Sequence, residues 1–250
     1  MIIDTHCHLF KEEYDDLEDI LKQLEKEKII VIINGYNPLT NKYAIDLANK
    51  YKFIYATIGF HPSNINEVQD ESFKILEKQL NNKKVVGIGE IGLDYYWNKN
   101  NKEKQKEILK KQLDLAKKYN KPIIVHSRDA VDDVYNLLKK YNLKGILHAF
   151  SGSLEQANLF INLGYKLGIG GVVTFKNSKL KEVIKNINLE YIVLETDAPY
   201  LTPEPYRGKK NKPIYVRIIA EKIADIKETK YNDVCQITTR NVRSLFDLDL

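Results

Sequence analysis

The sequence predicts an α/β fold, a single-domain (β/α)8 barrel that spans residues 1–250 and ends in C-terminal helices. Eight apolar runs rich in Ile and Val start mostly about 20 to 35 residues apart, which leaves room for one helix in each gap. Near-continuous apolar strands that alternate with helices are typical of a parallel sheet covered on both faces. An open doubly wound sheet is the alternative, but no GxGxxG follows the first run and no Pro/Gly/Ser linker divides the chain.

The predicted elements follow in chain order. The eight strands are the apolar runs at residues 2–9, 29–37, 53–61, 85–94, 122–129, 145–152, 165–175 and 191–200. Helices are predicted where apolar residues recur every three or four positions, at residues 17–28, 102–119, 130–141 and 154–163. Two further helices are expected in the tail, near residues 214–224 and 232–246.

Composition excludes several classes of protein. The 250 residues are 43% hydrophobic and can fill a large core, which excludes disorder. No apolar run approaches the roughly 18 residues of a membrane helix, and no secretory signal is visible, so we expect a cytoplasmic protein with no membrane partner. No obligate protein partner is evident. Cys7 and Cys235 have no zinc-binding spacing and are expected to be free thiols.

The net charge is mild, at +5 from 39 Lys and Arg against 34 Asp and Glu. It suits a partner with phosphates, and it equally suits solvated lysine faces with no ligand.

The chain has five histidines, and all lie at or just before the carboxyl end of a predicted strand. Active sites of (β/α)8 barrels are built at this end because the following loops converge there. Five unrelated structural histidines would have no reason to share one rim. The shared position therefore predicts a functional site that contains His6, His8, His61, His126 and His148.

The first strand predicts a metal site. Alternation along a strand places Asp4, His6 and His8 on one face and Cys7 on the other. Both imidazoles can then reach one metal ion, although two packing histidines would give the same short pattern. Asp197 in the eighth strand should lie beside them, because that strand adjoins the first in a closed barrel.

Glu90 and two more histidines extend this site. A carboxylate in the Gly-flanked apolar strand at residues 85–94 is costly to bury unless it forms an ion pair or binds a cation. A carboxylate can also bridge two cations, and His126 and His148 form a natural ligand pair for the second. The set therefore predicts two divalent ions, with zinc and manganese fitting better than magnesium. We assign catalytic roles to Glu90, which would bridge the ions around a shared water, and to Asp197, which would bind one ion and accept the water proton.

Substrate contacts are predicted from residues that flank the metal site. His61 can donate to a substrate oxygen, and Arg128 offers a planar guanidinium for a phosphate, although a structural histidine and a helix-cap ion pair are the alternatives. Arg207 lies in a basic loop, residues 202–213, which also carries Lys209, Lys210 and Lys212. Tyr95, Tyr96 and Trp97 can either stack on bases or pack their loop.

Six ordered motifs together resemble the TatD family of metal-dependent deoxyribonucleases, within the amidohydrolase-like metallohydrolases. They are DTHCHL, GFHP, GEIGLDYY, HSRDA, HAFSG and ETDAPYL, and they extend over nearly the whole chain. The resemblance implies a TIM-like barrel, a divalent metal pair, a cytoplasmic location and hydrolysis of DNA, often from the 3′ end. It also implies metal ligation by His6, His8, Glu90, His126, His148 and Asp197.

Two positions depart from the family's pattern. Ala149 stands where Cys is frequent, and Lys212 stands where an acidic residue is common. Neither change removes a proposed ligand, but we expect Lys212 to alter how the rim meets its substrate.

Three functions follow as hypotheses. The first is a metal-dependent nuclease acting on DNA. The second is an ester or amide hydrolase, such as a D-aminoacyl-tRNA deacylase, for which the same ligands would serve; RNA or aminoacyl-tRNA would then be the partner. The third is a non-catalytic binding module, which is disfavoured because six buried ligand-type residues without metal would destabilise the fold.

Overall fold

A computed structural model, which describes residues 1–97 and 99–248, shows one eight-stranded parallel sheet whose strands are in chain order. Hydrogen bonds just beyond the last strand close the sheet on the first: the His8 amide donates to the Ala198 carbonyl (2.7 Å) and the Asp197 amide to the His6 carbonyl (2.9 Å). The predicted (β/α)8 barrel is therefore confirmed. The strands are β1 (Ile2–Cys7), β2 (Ile29–Asn34), β3 (Ile54–Ile58), β4 (Val85–Asp94), β5 (Ile123–Arg128), β6 (Gly145–Leu147), β7 (Lys166–Ile169) and β8 (Ile192–Leu194).

Helices connect successive strands and follow the last one. Local sequence sets several helix starts: Asn37 and Thr40 form a reciprocal cap on the helix that begins at Pro38, and Ser153 caps the helix that begins at Leu154. Among the described residues, no helix has the length and apolar character needed to cross a membrane. The helices are α1 (Leu17–Lys26), α2 (Pro38–Lys50), α3 (Asp70–Gln79), α4 (Lys102–Tyr119), α5 (Val131–Leu138), α6 (Leu154–Asn162), α7 (Leu180–Asn186), α8 (Val216–Lys227) and α9 (Tyr231–Phe246).

Most strands are shorter than their apolar runs predicted. β3 ends before His61, β6 before His148 and β8 before Asp197, so these three residues stand on the loops and not on strands. The segments after the strands remain buried over the barrel mouth, so their composition stays apolar after ladder pairing has ended. Apolar composition reports burial, and it does not mark where hydrogen bonding between strands stops.

The core has two layers. Side chains such as Ile3, Ile32 and Ile124 fill the barrel interior, and Phe246 at the end of α9 packs against this layer. A larger outer layer lies between the sheet and the helices and contains Cys7. The Cys7 thiol is buried, free and 3.7 Å from the Ile32 carbonyl, which agrees with its predicted place on the face opposite His6 and His8.

Truncation of the inner layer should be costly. Because Ile32 is fully buried inside the barrel, we expect Ile32→Ala to lower the free energy of unfolding by about 2–5 kcal/mol. Urea denaturation followed by circular dichroism measures this loss. Leu39→Ala, at a side chain that is 71% exposed, is the control and should change stability by less than about 0.5 kcal/mol. Equal losses in both variants would contradict this account of the core.

Candidate metal centre

β1 carries two imidazoles to the barrel mouth. His6 and His8 lie with their Nε2 atoms 3.2 Å apart, and both side chains are buried. Between Asp4 and Cys7, β1 has one residue more than β2 opposite it, so the side-chain alternation shifts there. Consequently Asp4 does not join the imidazoles as simple alternation predicted. Its carboxylate accepts hydrogen bonds from the amide (2.9 Å) and hydroxyl (2.5 Å) of Thr196.

Glu90 lies at the middle of the site, with one oxygen toward each of two histidine groups. Its Oε2 is 3.3 Å from His6 Nε2 and 3.6 Å from His8 Nε2. Its Oε1 is 3.0 Å from both His126 Nδ1 and His148 Nε2. This is the arrangement expected of a carboxylate that serves two adjacent cation positions.

Asp197 completes the group around β1. Its Oδ1 lies 3.6 Å from the Nε2 atoms of both His6 and His8. The backbone at Asp197 is left-handed, with φ of 57°, a conformation that Asp and Asn adopt more readily than most residues. The closure of the barrel therefore brings together six side chains that are far apart in sequence: His6, His8, Glu90, His126, His148 and Asp197.

Buried acceptors behind the imidazoles fix their orientation. His126 Nε2 lies 3.0 Å from Asp94 Oδ2, and His8 Nδ1 lies 2.9 Å from the Asn34 carbonyl. Since these acceptors take the proton, His126 Nδ1 and His8 Nε2 keep lone pairs that point into the site. Glu195 Oε1 lies 3.4 Å from His148 Nδ1 and accepts the Ala149 amide at 2.6 Å.

Asp94 is not among the site residues that the sequence pattern predicts, although its carboxylate contacts His126. Asp94 and Arg128 are partners across the β4–β5 pair, and His126 pairs with Gly92. The contact between Asp94 and His126 therefore depends on interstrand register. The sequence does contain one indication of this role, because Asp94 is a carboxylate at the end of β4, the strand that carries Glu90.

The carboxylates of the site are ionised. Burial opposes ionisation of Glu90, but the surrounding imidazoles, among them the protonated ring of His148, outweigh it and hold the pKa of Glu90 well below its usual range. Burial likewise opposes ionisation of Asp197, whose pKa is lowered mainly by its hydrogen bond with His8. In the opposite direction, Glu90 and Glu195 outweigh burial and raise the pKa of His148 well above its usual value. The centre therefore holds ionised carboxylates against imidazoles that bind protons, and divalent cations can take the place of those protons.

The donor set fits divalent cations. His126 Nδ1 and Glu90 Oε1 approach to 3.0 Å although each presents a lone pair to the other, and such contact is stable only when a proton or a cation is shared. Imidazole and carboxylate together suit zinc and manganese. Three combinations each place their ligand atoms within 4.8 Å of one another: His6, His8 and Glu90; His6, His148 and Asp197; and His61, Glu90 and His126.

His61 differs from the other histidines. Its Nδ1 accepts a hydrogen bond from the Ser63 amide at 3.1 Å, so the neutral ring carries its proton on Nε2. Burial lowers the pKa of His61 to about 3, which keeps the ring neutral near pH 7. Its Nε2 is 3.5 Å from Glu90 Oε1. His61 therefore presents a donor to the site, and it would have to change tautomer to bind a metal ion.

A cavity of about 760 Å³ opens over these residues, and it brings Arg128 but not Arg207 to the site. Arg207 stacks on Phe175 at 4.2 Å, outside the cavity lining. In the same loop, Lys212 forms an ion pair with Asp16 at 2.5 Å. Some basic residues of the predicted rim therefore already contact other side chains of the protein and are not all free to bind a ligand.

A second cavity, of about 880 Å³, has neither histidine nor glutamate in its lining. Lys84 and Lys121 in its wall donate to backbone carbonyls, which is a structural role.

Asp94 should control metal affinity through the tautomer of His126. Its Oδ1 accepts the amides of Tyr96 and Trp97, so in Asp94→Asn the amide NH2 would face His126 Nε2. His126 would then have to protonate Nδ1 and lose the lone pair that faces Glu90. We expect metal affinity to fall about 10- to 100-fold.

Competition with a chromophoric chelator measures this affinity. Asp114→Asn is the control, because Asp114 accepts only the Tyr141 hydroxyl among the described residues and lies on the outside of α4. Unchanged affinity in Asp94→Asn would refute the role given to Asp94.

Comparison with known proteins finds similar chains over the full length of the sequence. The family model for TatD-related DNases matches residues 3–247. The chain is 42% identical to the uncharacterised metal-dependent hydrolase YabD of Bacillus subtilis, over the whole of both chains. The crystal structure of YjjV, a TatD homologue from Escherichia coli, superposes with a TM-score of 0.93 at 33% identity and covers 99% of this chain and 98% of its own. A TatD-family hydrolase from Entamoeba histolytica superposes with a TM-score of 0.88 at 26% identity, with 98% and 97% covered.

Proposed function

The chain belongs to the TatD family of metal-dependent hydrolases, and on that premise we propose that it is a deoxyribonuclease that hydrolyses phosphodiester bonds, removing nucleotides from the 3′ end of DNA with two divalent ions. One observation carries the proposal. The two oxygens of Glu90 face two separate histidine groups, which is the ligand arrangement of a two-ion centre. Such centres serve in-line displacement at phosphorus.

Different residues of the chain are assigned different steps of the proposed reaction. Bound divalent ions supply positive charge that lowers the pKa of water and offsets charge developing on phosphoryl oxygens. Asp197, ionised and 13% exposed at its side chain, is the base that accepts a proton from the attacking water. His61 donates its Nε2 proton in a hydrogen bond to a substrate oxygen.

Substrate binding is assigned to two arginines. Arg128 lines the cavity and can form paired hydrogen bonds with a phosphate. Arg207 is exposed outside the cavity and would meet the nucleic-acid chain farther from the cleavage point. The presence of Arg128 in the lining of the cavity over the metal centre supports a substrate that carries phosphate groups.

The test is degradation of 3′-labelled single-stranded DNA by metal-stripped protein, before and after addition of Mg²⁺, Mn²⁺ or Zn²⁺. We expect cleavage only after metal addition, with Asp197→Asn, purified identically, revealing any contaminating nuclease. Absence of cleavage from protein that holds two ions would refute the proposal. The next substrate would then be D-aminoacyl-tRNA, whose ester carbonyl the same centre can attack.

A further inference from the structure

Three planar side chains form a cluster at the cavity mouth, which we call the platform: Tyr96, Trp97 and Arg128. The Arg128 guanidinium lies 3.8 Å from the centre of the Tyr96 ring and 5.4 Å from that of Trp97. The two rings meet edge to face, with centroids 4.9 Å apart. Trp97 and Arg128 also line the cavity over the metal centre.

Packing against the rest of the protein does not account for the aromatic rings of the platform, because both rings are largely exposed. Trp97 is 71% exposed and Tyr96 is 51% exposed, whereas neighbouring Tyr95 is buried and donates its hydroxyl to Asp133. Within residues 1–97 and 99–248, no carboxylate lies within ion-pair distance of Arg128. An exposed indole beside an unpaired guanidinium leaves two planar faces open to a ligand.

One carboxylate connects the platform to the metal centre. Asp94 Oδ1 accepts the amides of Tyr96 (3.0 Å) and Trp97 (3.3 Å), while Oδ2 faces His126 Nε2. The backbone of the platform is therefore held by the same side chain that orients a proposed metal ligand. A group stacked on the platform has a defined position relative to the site of hydrolysis.

We propose that the platform binds one nucleobase of the substrate, adjacent to the bond that is cleaved. This inference rests on the proposed nuclease function and names the part of the nucleotide that the protein reads. Indole and guanidinium faces stack on any of the four bases, because every base presents a π face. The platform thus positions the strand without selecting a sequence.

Trp97 is the only tryptophan of the chain, so indole fluorescence reports on the platform alone. The probe is a phosphorothioate-linked single-stranded decamer that resists cleavage, added to the metal-loaded enzyme. We expect quenching by the decamer, and a loss of quenching when one of its last three nucleotides is replaced by an abasic analogue. Unchanged fluorescence while the anisotropy of a 5′ label shows binding would overturn the proposal.

Variants separate stacking from charge. Trp97→Ala should weaken decamer binding about tenfold, equivalent to about 1.4 kcal/mol, and should raise KM with kcat nearly unchanged. Arg128→Lys keeps the charge but loses both the planar face and the paired hydrogen bonds to a phosphate, so it should also weaken binding, and Trp97→Ala alone isolates stacking. The control is Tyr191→Ala. Like Trp97, Tyr191 is an aromatic residue beside a cation, since Lys166 Nζ lies 5.7 Å from the centre of its ring. Tyr191 directly precedes β8 and does not line the cavity.

The outcomes distinguish this proposal from the proposed function. If the protein cleaves DNA but binds base-bearing and abasic strands with equal affinity, the proposed base-binding role of the platform is wrong and the proposed nuclease function is retained. Failure to bind or cleave any nucleic acid would refute both.

Discussion

Replacing Glu90 with glutamine is expected to lower kcat/KM by about 10³-fold or more and to reduce the bound metal from two ions to one. The reason is the opposite orientation of the two carboxylate oxygens. Oε2 faces His6 and His8, and Oε1 faces His126 and His148. A glutamine can place its carbonyl oxygen toward only one of these groups, and its NH2 repels a cation from the other.

Metal analysis of the dialysed protein and initial rates on 3′-labelled DNA measure both effects. Glu77→Gln is the matched control, since Glu77 forms an ion pair with Lys118 on the outer helical surface. We expect Glu90→Gln to remain folded, because removal of a buried negative charge lessens desolvation. Two ions retained with full activity would show that Glu90 does not bridge the groups.

Asp197→Asn is expected to lower kcat by about 10²- to 10⁴-fold while leaving the fold intact. Asparagine has the same shape and tolerates the left-handed backbone at this position, where φ is 57°. It cannot accept a proton from water, and it binds a cation more weakly than a carboxylate. The substitution therefore removes the proposed base without the backbone strain that alanine would add.

Thermal denaturation and single-turnover cleavage together check this expectation. Asp247→Asn is the control, because Asp247 is exposed, has φ of 51° and belongs to the opposite end of the barrel, next to Phe246. A melting temperature close to that of the parent protein with lost cleavage supports the assignment. Activity near the parent level would transfer the role of base to another group.

The proposed mechanism depends on side chains that stand just past the strands. His8, His148 and Asp197 all follow the last ladder residue of their strand. Their positions are nevertheless fixed, because backbone bonds such as His148 amide to Val125 carbonyl (3.0 Å) continue beyond the strand ends. Rigid placement of ligands on short loops is what allows a barrel to change its chemistry without changing its core.

The sequence alone determined the fold and the chemical composition of the site. Periodic apolar runs predict the alternation of strands and helices, and ligand-type residues such as His6, Glu90 and His126 are recognisable where such runs end. These are local properties, since periodicity and residue type are readable within one element. The six motifs also identified the family, which the whole-chain matches confirm.

Only the tertiary structure decided how these residues face one another. The pairing of β4 with β5 places Asp94 behind His126, and the extra residue in β1 turns Asp4 away from the imidazoles. The same holds at the rim, where Lys212 pairs with Asp16 while Trp97 stays exposed at the cavity. Orientation depends on register, bulges and barrel closure, which are set by contacts between residues distant in sequence, and no local pattern encodes them.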